Sequence, residues 1–475
     1  MPETKKTNKR KQNKGRAVPS SRNTVKATAK QSGILADARG VFTSYPYNRA
    51  SLRLICEKTG INHNLIRYHF GSKEKLFEAL LSQMISEMET GFAEFKSDMP
   101  DNILIDDFPH FITRFLGFGF SNPDGMKIIM QNIGAAGTET ITTGTRLFKT
   151  LTDSIQAFLT DNCTIKSSEK DVRLWVSGFS TAIVCLIGAE DSLLTVSGRE
   201  DDKESVRRGV EAFLTATFSP SFDYLLSGQA SKAFKDFSII PTRPGVYDIL
   251  RDKIPERHDN TPATKGDASR QRILAAARKV FSTLPYEAGT IRMIGSEGDM
   301  DFTLIRHYFA SKEVLFNAVA QDLFSEFTRE VLLVYEGLDK IPSTMKSHSL
   351  SSQRLIDHCF ASSDALSILT QNAARIGGMG ISLPGFDFIM QFITAMEKII
   401  HELEVLKAPA HETRHLLFLK ALILINSIGG ASFYAGFYNM KPQSKEYHDR
   451  IYDLYSFLVY PLYSNLIVKY GTDEY

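Results

Sequence analysis

The sequence predicts an all-α protein assembled from two tandem units, and three observations carry that expectation. Apolar residues recur at helical spacing: Ile34, Leu35, Ala38, Val41 and Phe42 form one stripe, and Ile273, Leu274, Ala277, Val280 and Phe281 form another. Strand-like alternation is nowhere sustained. At an offset of 239 residues, Ile34 to Phe77 aligns with Ile273 to Phe316 without a gap, and 20 of the 44 pairs are identical. Chance gives roughly three, so the chain carries an internal duplication.

Later matches need one or two inserted residues. Gln131-Asn132 pairs with Gln371-Asn372, and the surroundings of Pro220 pair with those of Pro461. The duplication therefore runs through the whole 475-residue chain, whose 43% hydrophobic and 23% charged residues suit an ordinary globular protein of two or three domains. The expected division is a basic disordered arm (1–30), a first head (31–78), a first helical body (79–226), a linker (227–266), a second head (267–317) and a second helical body (318–475). The arm holds ten Lys or Arg against one acidic residue, Glu3, and has no apolar run suited to a signal peptide. The linker contains Pro241, Pro244, Pro255 and Pro262, which discourage continuous helix.

Cys56, Cys163, Cys185 and Cys359 are scattered without a C-x-x-C pair, which argues against a disulfide framework or a thiolate zinc site and fits a reducing cytoplasm. The longest apolar stretches, around Val176 to Ala189 and Leu416 to Phe437, are interrupted by polar residues or glycine before the roughly 20 residues of a membrane span. They read as buried core helices, and no membrane partner is expected.

In the first head the first helix is followed by a turn containing Tyr45-Pro46-Tyr47 and then by a short helix capped by Ser51, and Thr290 repeats the cap in the second head. Thr59-Gly60-Ile61 makes the next corner, because glycine tolerates the left-handed backbone such a turn needs. Asn62 caps a very short helix ending near Phe70, and Ser72 caps a long one. Three helices with a tight turn between the second and third describe a helix-turn-helix.

The stretch T-G-I-N-H-N-L-I-R-Y-H-F-G-S-K-E-K-L, Thr59 to Leu76, resembles the signature of the TetR-type bacterial transcriptional regulators, and Gly298 to Leu315 resembles it again as G-D-M-D-F-T-L-I-R-H-Y-F-A-S-K-E-V-L. The resemblance covers about 45 residues twice. It implies that the short third helix enters the major groove of double-stranded operator DNA and reads base edges from its N-terminal side chains. In the first head the residues expected at DNA are Ser51, Arg53, Asn62, His63, Asn64, Arg67, Tyr68, His69 and Lys73, with Lys73 placed at a helix start that favours phosphate. Ile61, Leu65, Ile66 and Phe70 are expected to pack beneath.

The second head offers Thr290, Arg292, Phe302, Thr303, Arg306, His307, Tyr308 and Lys312. Its charge differs in sign, because Glu297, Asp299 and Asp301 stand where the first head has Lys58, Gly60 and Asn62. Asp299 is expected to take the left-handed turn position and Asp301 the N-cap, and their carboxylates weaken attraction to a polyanion. Two readings stay open: this head reads a half-site unlike the first, or it is structural.

The resemblance further implies a cytoplasmic, nucleoid-associated regulator without catalytic activity or cofactor, a repressor released by a small, largely apolar effector. Dimerisation in the family runs through the helical bodies, so two fused units imply an intrachain pseudo-dimer, with a further homodimer as the rival stoichiometry. The helices expected at that interface are Asp171 to Ala189, Glu204 to Phe218, Glu412 to Gly430 and His448 to Leu466. A ligand-sensing or protein-interaction module with heads that no longer bind DNA is the alternative function.

Three other patterns point elsewhere and are weaker. His411-Glu412-Thr413-Arg414-His415 matches H-E-x-x-H, but no third ligand follows and the aligned segment of the first unit lacks the histidines, so no metal is expected. Gly377, Gly378 and Gly380 lack the spacing and the lysine of a nucleotide loop. Phe108, Phe111, Phe115, Phe118 and Phe120 suit either a core or part of an apolar effector pocket.

Overall fold

The computed structural model describes residues 21–45, 47, 50–133, 138–190, 202–229, 264–284, 286, 288–334, 345–373, 393–394, 396–398, 401 and 408–470. Among them the regular structure is helical throughout. The first unit comprises α1 (Ser21–Ser44), α2 (Leu52–Thr59), α3 (His63–Phe70), α4 (Lys73–Ser97), α5 (Phe108–Ser121), α6 (Pro123–Ile133), α7 (Thr138–Asn162), α8 (Glu169–Gly188) and α9 (Lys203–Ser227). The second comprises α10 (Lys265–Thr283), α11 (Ile291–Glu297), α12 (Phe302–Tyr308), α13 (Lys312–Val334), α14 (Met345–Ala361), α15 (Ser363–Ala373), α16 (Ala410–Leu424), α17 (Ala431–Phe437) and α18 (Lys445–Tyr470). A single π-helical turn, Ile425–Gly429, joins α16 to α17.

Two boundaries differ from the sequence expectation. Helix α1 begins at Ser21, so the basic segment is helical over its last ten residues; Pro19 is the last proline before it, and nothing between Ser21 and Lys30 breaks a helix. The division between head and body, expected at 78 and 317, falls inside the unbroken helices α4 and α13. Each head is thus mounted on a helix of its own body. Most of the linker, together with Pro46, Pro285, Gly377, Gly378 and Gly380, lies outside the described residues.

The phenylalanines of α5 resolve into core. Phe108, Phe111, Phe115 and Phe118 are buried and pack with Phe92, Phe95, Phe158, Phe179 and Phe222 in a continuous set of edge and stacked contacts around Trp175. Such pairs add about 0.5 to 1.5 kcal/mol each to the burial itself. Phe120 stands apart, half-buried under the Arg207 guanidinium at 4.3 Å. The apolar run of α8 is long enough to cross a membrane, yet it is almost wholly buried inside the protein, as a core helix is.

Helices of the two halves pack on one another. Gly178 of α8 meets α18 so closely that a Cβ there would strike Leu458, with Leu454 next to it. Ser177 hydrogen-bonds Tyr438, and Lys170 pairs with Asp453 at 2.7 Å. Phe148 of α7 makes edge contacts with Phe433, Tyr434 and Phe437 of α17, while Phe213 of α9 packs against His415 and Phe418 of α16. Helices α8 and α9 thus lie against α16 and α18. The H-E-x-x-H residues are used structurally: Glu412 accepts from Lys469 and Tyr470 of α18, and His415 lies against Phe213.

Gly178→Leu should wedge α8 from α18 and lower unfolding free energy by about 1 to 3 kcal/mol in urea titration. Gly117→Ala, in open space on α5, should instead raise it by roughly 0.5 to 1 kcal/mol.

Candidate nucleic-acid interface

The first head is fixed by caps and one left-handed residue. Ser51 Oγ accepts from the Leu54 amide at 3.1 Å, Asn62 Oδ1 from Asn64 at 2.8 Å and Ser72 Oγ from Lys75 at 3.2 Å, which satisfies amide groups that open each helix. Gly60 ends α2 at φ +71°, bonding back to the Cys56 carbonyl, and sets the corner between α2 and α3. Ile55 and Ile66 are fully buried beneath that corner, and Ile61, Leu65 and Phe70 pack against the same core.

The opposite face of α3 is left to solvent. Asn62, Asn64, Arg67 and Tyr68 are exposed, and Tyr68 is 83% accessible, far more than an aromatic ring packed for stability would be. Arg53, Asn64 and Arg67 make no side-chain hydrogen bond or ion pair among the described residues. His63 and His69 are partly covered, with His69 edge-on to Tyr68 at 5.0 Å.

Lys73 is placed differently from a free phosphate contact. Its half-buried ammonium donates to the Tyr47 carbonyl at 2.9 Å and lies 3.9 Å over the Tyr47 ring, and burial lowers its pKa. Lys312 repeats both contacts on Tyr286, at 2.8 Å and 4.0 Å. In each head this lysine pins the turn after the first helix to the start of the fourth. The partners Tyr47 and Tyr286 occupy matching positions in the duplication.

The second head keeps the frame with different chemistry. Thr290 caps α11 through Met293 at 3.2 Å, and Asp299 holds the left-handed corner at φ +47°, the position glycine fills in the first head. Asp301 Oδ1 accepts from the Thr303 amide at 2.7 Å and hydroxyl at 2.6 Å; these bonds lower its carboxyl pKa and keep it ionised. Thr303's hydroxyl is thereby engaged. Glu297 pairs with Lys279 at 3.2 Å. Arg292, Phe302, Arg306 and His307 are exposed, Tyr308 is partly covered, and the Arg306 guanidinium lies 5.8 Å from the Phe302 ring centre.

Sequence reading missed the groups that hold each head to its body. Arg39 of α1 donates to Asp124 of α6 at 2.6 Å and to Glu87 of α4 at 2.7 Å. Arg278 of α10 repeats this with Glu326 of α13 at 2.9 Å and with Asp364 of α15. Burial alone would depress these guanidinium pKa values, but the two carboxylates on each more than offset it and raise them. Gln131 donates to the Thr43 carbonyl, as Gln371 does to that of Ser282 at 2.5 Å, tying the end of the first helix to α6 or α15. All of these residues fall in register in the duplication, which is the signal that could have found them.

Two helix-turn-helix heads clamped to helical bodies place the chain in the helix-turn-helix class of proteins. Known proteins narrow this: the family model described as bacterial regulatory proteins, tetR family, matches residues 34–80 and 273–319. The chain thus carries two TetR-type heads in tandem. It is also similar, at 34% identity over 73 residues, to the HTH-type transcriptional repressor NicS of Pseudomonas putida, a match covering 15% of this chain and 34% of that relative. The matched part thus spans about a third of the relative's length.

Removing Arg39 as Arg39→Met should leave Glu87 and Asp124 without their shared cation and speed amide exchange in α1 and α2. A double-mutant cycle with Asp124→Asn should give a coupling of about 1 kcal/mol, modest because the pair is partly exposed.

Proposed function

We propose that the protein is a cytoplasmic, nucleoid-associated, non-catalytic transcriptional regulator, a repressor, whose two unlike heads on one chain read one operator. The observation that carries this is the exposed face of α3, where Asn64, Arg67 and Tyr68 stand clear of the protein in a frame fixed by caps and buried isoleucines. The printed name of the Pseudomonas relative, a transcriptional repressor, supports the sign of the regulation.

Roles can be assigned on this reading. Asn62, His63 and Asn64 face base edges at the start of α3; Arg67, Tyr68 and His69 follow one turn later; Ser51, Arg53 and Lys73 lie at helix starts suited to phosphate. Lys73 keeps donors beyond the one given to Tyr47. In the second head Arg292, Phe302, Arg306 and His307 are the base- and phosphate-facing groups, flanked by Thr290, Thr303, Tyr308 and Lys312. Asp301, acceptor-only when ionised, favours a donor such as the cytosine amino group over phosphate.

The close packing of α8 and α9 against α16 and α18, and of α7 against α17, supports an intrachain pseudo-dimer, with heads at 31–78 and 267–317 on bodies at 79–226 and 318–475. Two diverged heads remove the need for a palindrome. An effector acts by binding more tightly to a head arrangement that does not fit DNA, and the arginine clamps on α4, α6, α13 and α15 are the means by which a body changes its head's attitude.

Selection of bound fragments from a random DNA pool with the full-length chain should enrich an asymmetric motif. Asn64→Ala should relax base preference at one half by about 1 to 3 kcal/mol, whereas Arg67→Ala should weaken all sequences and flatten the salt slope by about one unit. Enrichment of a palindrome would assign the operator to two chains, and no enrichment would overturn the DNA-binding reading.

A further inference from the structure

The second body holds a largely apolar cavity. It lies among Phe324 and Phe327 of α13, Leu355 of α14, Leu369 of α15, and Leu424 and Lys420 of α16, and is partly continuous with solvent. Apart from Lys420, the lining is apolar. Lys420 makes no hydrogen bond or ion pair among the described residues; its ammonium lies 5.8 Å from the centre of the Tyr463 ring. Glu397, one residue from the lining Met396, is engaged by Arg414 at 2.7 and 3.2 Å.

The duplication shows how the lysine arose as a difference between the units. At an offset of 241 residues Ile187-Gly188 aligns with Ile428-Gly429, and both glycines pack on the preceding short helix of their own unit, Gly188 on Met126 and Met130, Gly429 on Leu366 and Thr370. The same offset sets Lys420 against Phe179, which is fully buried and stacked on Trp175 at 4.7 Å. One unit has an aromatic ring in the middle of its core. The other has a cation beside open space.

We propose that this cavity is a binding site for a small amphipathic anion, a monocarboxylate with an apolar body, whose head group pairs with Lys420. An ammonium in apolar surroundings is destabilised unless it is paired, and burial here pushes the Lys420 pKa down to about 8. A carboxylate supplies the missing charge, and the alkyl or aryl part covers Phe324, Phe327, Leu355 and Leu369. The site rests on the effector reading above and gives it a place and a sign. Its walls also carry the clamp: Phe324 and Phe327 flank Glu326 on α13, and Asp364 stands at the start of α15 before Leu366, so a ligand between α13 and α15 presses on the two carboxylates that hold Arg278. The π turn that closes α16 places Ile425 in the same wall, with its carbonyl accepting from Thr370 at 2.9 Å.

The test is calorimetry on the full-length protein without DNA, using octanoate, octan-1-ol and octylammonium. Octanoate should bind at least tenfold more tightly than octanol, and octylammonium should not bind. Lys420→Met should remove the preference for octanoate while keeping or improving octanol binding, and Lys420→Arg should retain it. Equal binding of all three by the unaltered protein, or no binding of octanoate, would overturn the site, as would an unchanged preference in folded Lys420→Met. A DNA-retention assay with the same ligands separates the two readings: octanoate bound at Lys420 without DNA release sinks only the effector reading. Release by compounds that ignore Lys420 sinks only this site.

Discussion

The arrangement of the whole protein depends on a repeated ionic clamp. Arg39 is gripped by Glu87 and Asp124, and Arg278 by Glu326 and Asp364, so each head is held by two different helices of its body through one guanidinium. Planar, forked donors suit that task, since two carboxylates can be met from different directions at once. Because α4 and α13 run unbroken from head into body, there is no flexible joint between the two. The clamp and the glutamine bonds beside it add to that continuous helix as ties between head and body.

Duplication gave two copies of this device with freedom to diverge around it. What stayed in register is mechanical: the helix caps, the lysine over tyrosine, the arginine clamp and the glutamine that holds the end of the first helix. What changed is chemical. Asp299 stands at the left-handed corner that Gly60 holds in the first unit, Asp301 at the cap that Asn62 holds, and Lys420, beside a cavity, at the position of the buried Phe179. Each exchange keeps the backbone and alters the charge it displays.

The heads were legible in the sequence because their shape is encoded locally. Ser51, Asn62, Ser72, Thr290 and Asp301 cap their helices as the residue types imply, and Asp299 takes the positive φ expected of it. The role of Lys73 was only half legible, because its partner is the carbonyl of Tyr47, and a backbone acceptor 26 residues away leaves no mark in a motif. The clamp was hidden for the same reason: Arg39 and Asp124 lie 85 residues apart on surfaces where charged residues are ordinary. The phenylalanines of α5 suited core or pocket equally, since both are apolar; the packing of neighbouring rings decides, and that is a tertiary property.

Contact between the halves across α8, α9, α16, α17 and α18 leads to the central claim, that one chain supplies both heads for one operator. The most direct measurement is the native mass of the complex formed by the full-length protein on a duplex bearing its selected site. The account predicts one chain per duplex across the concentration range in which binding saturates. Two chains per duplex, with both first heads on the DNA, would contradict it.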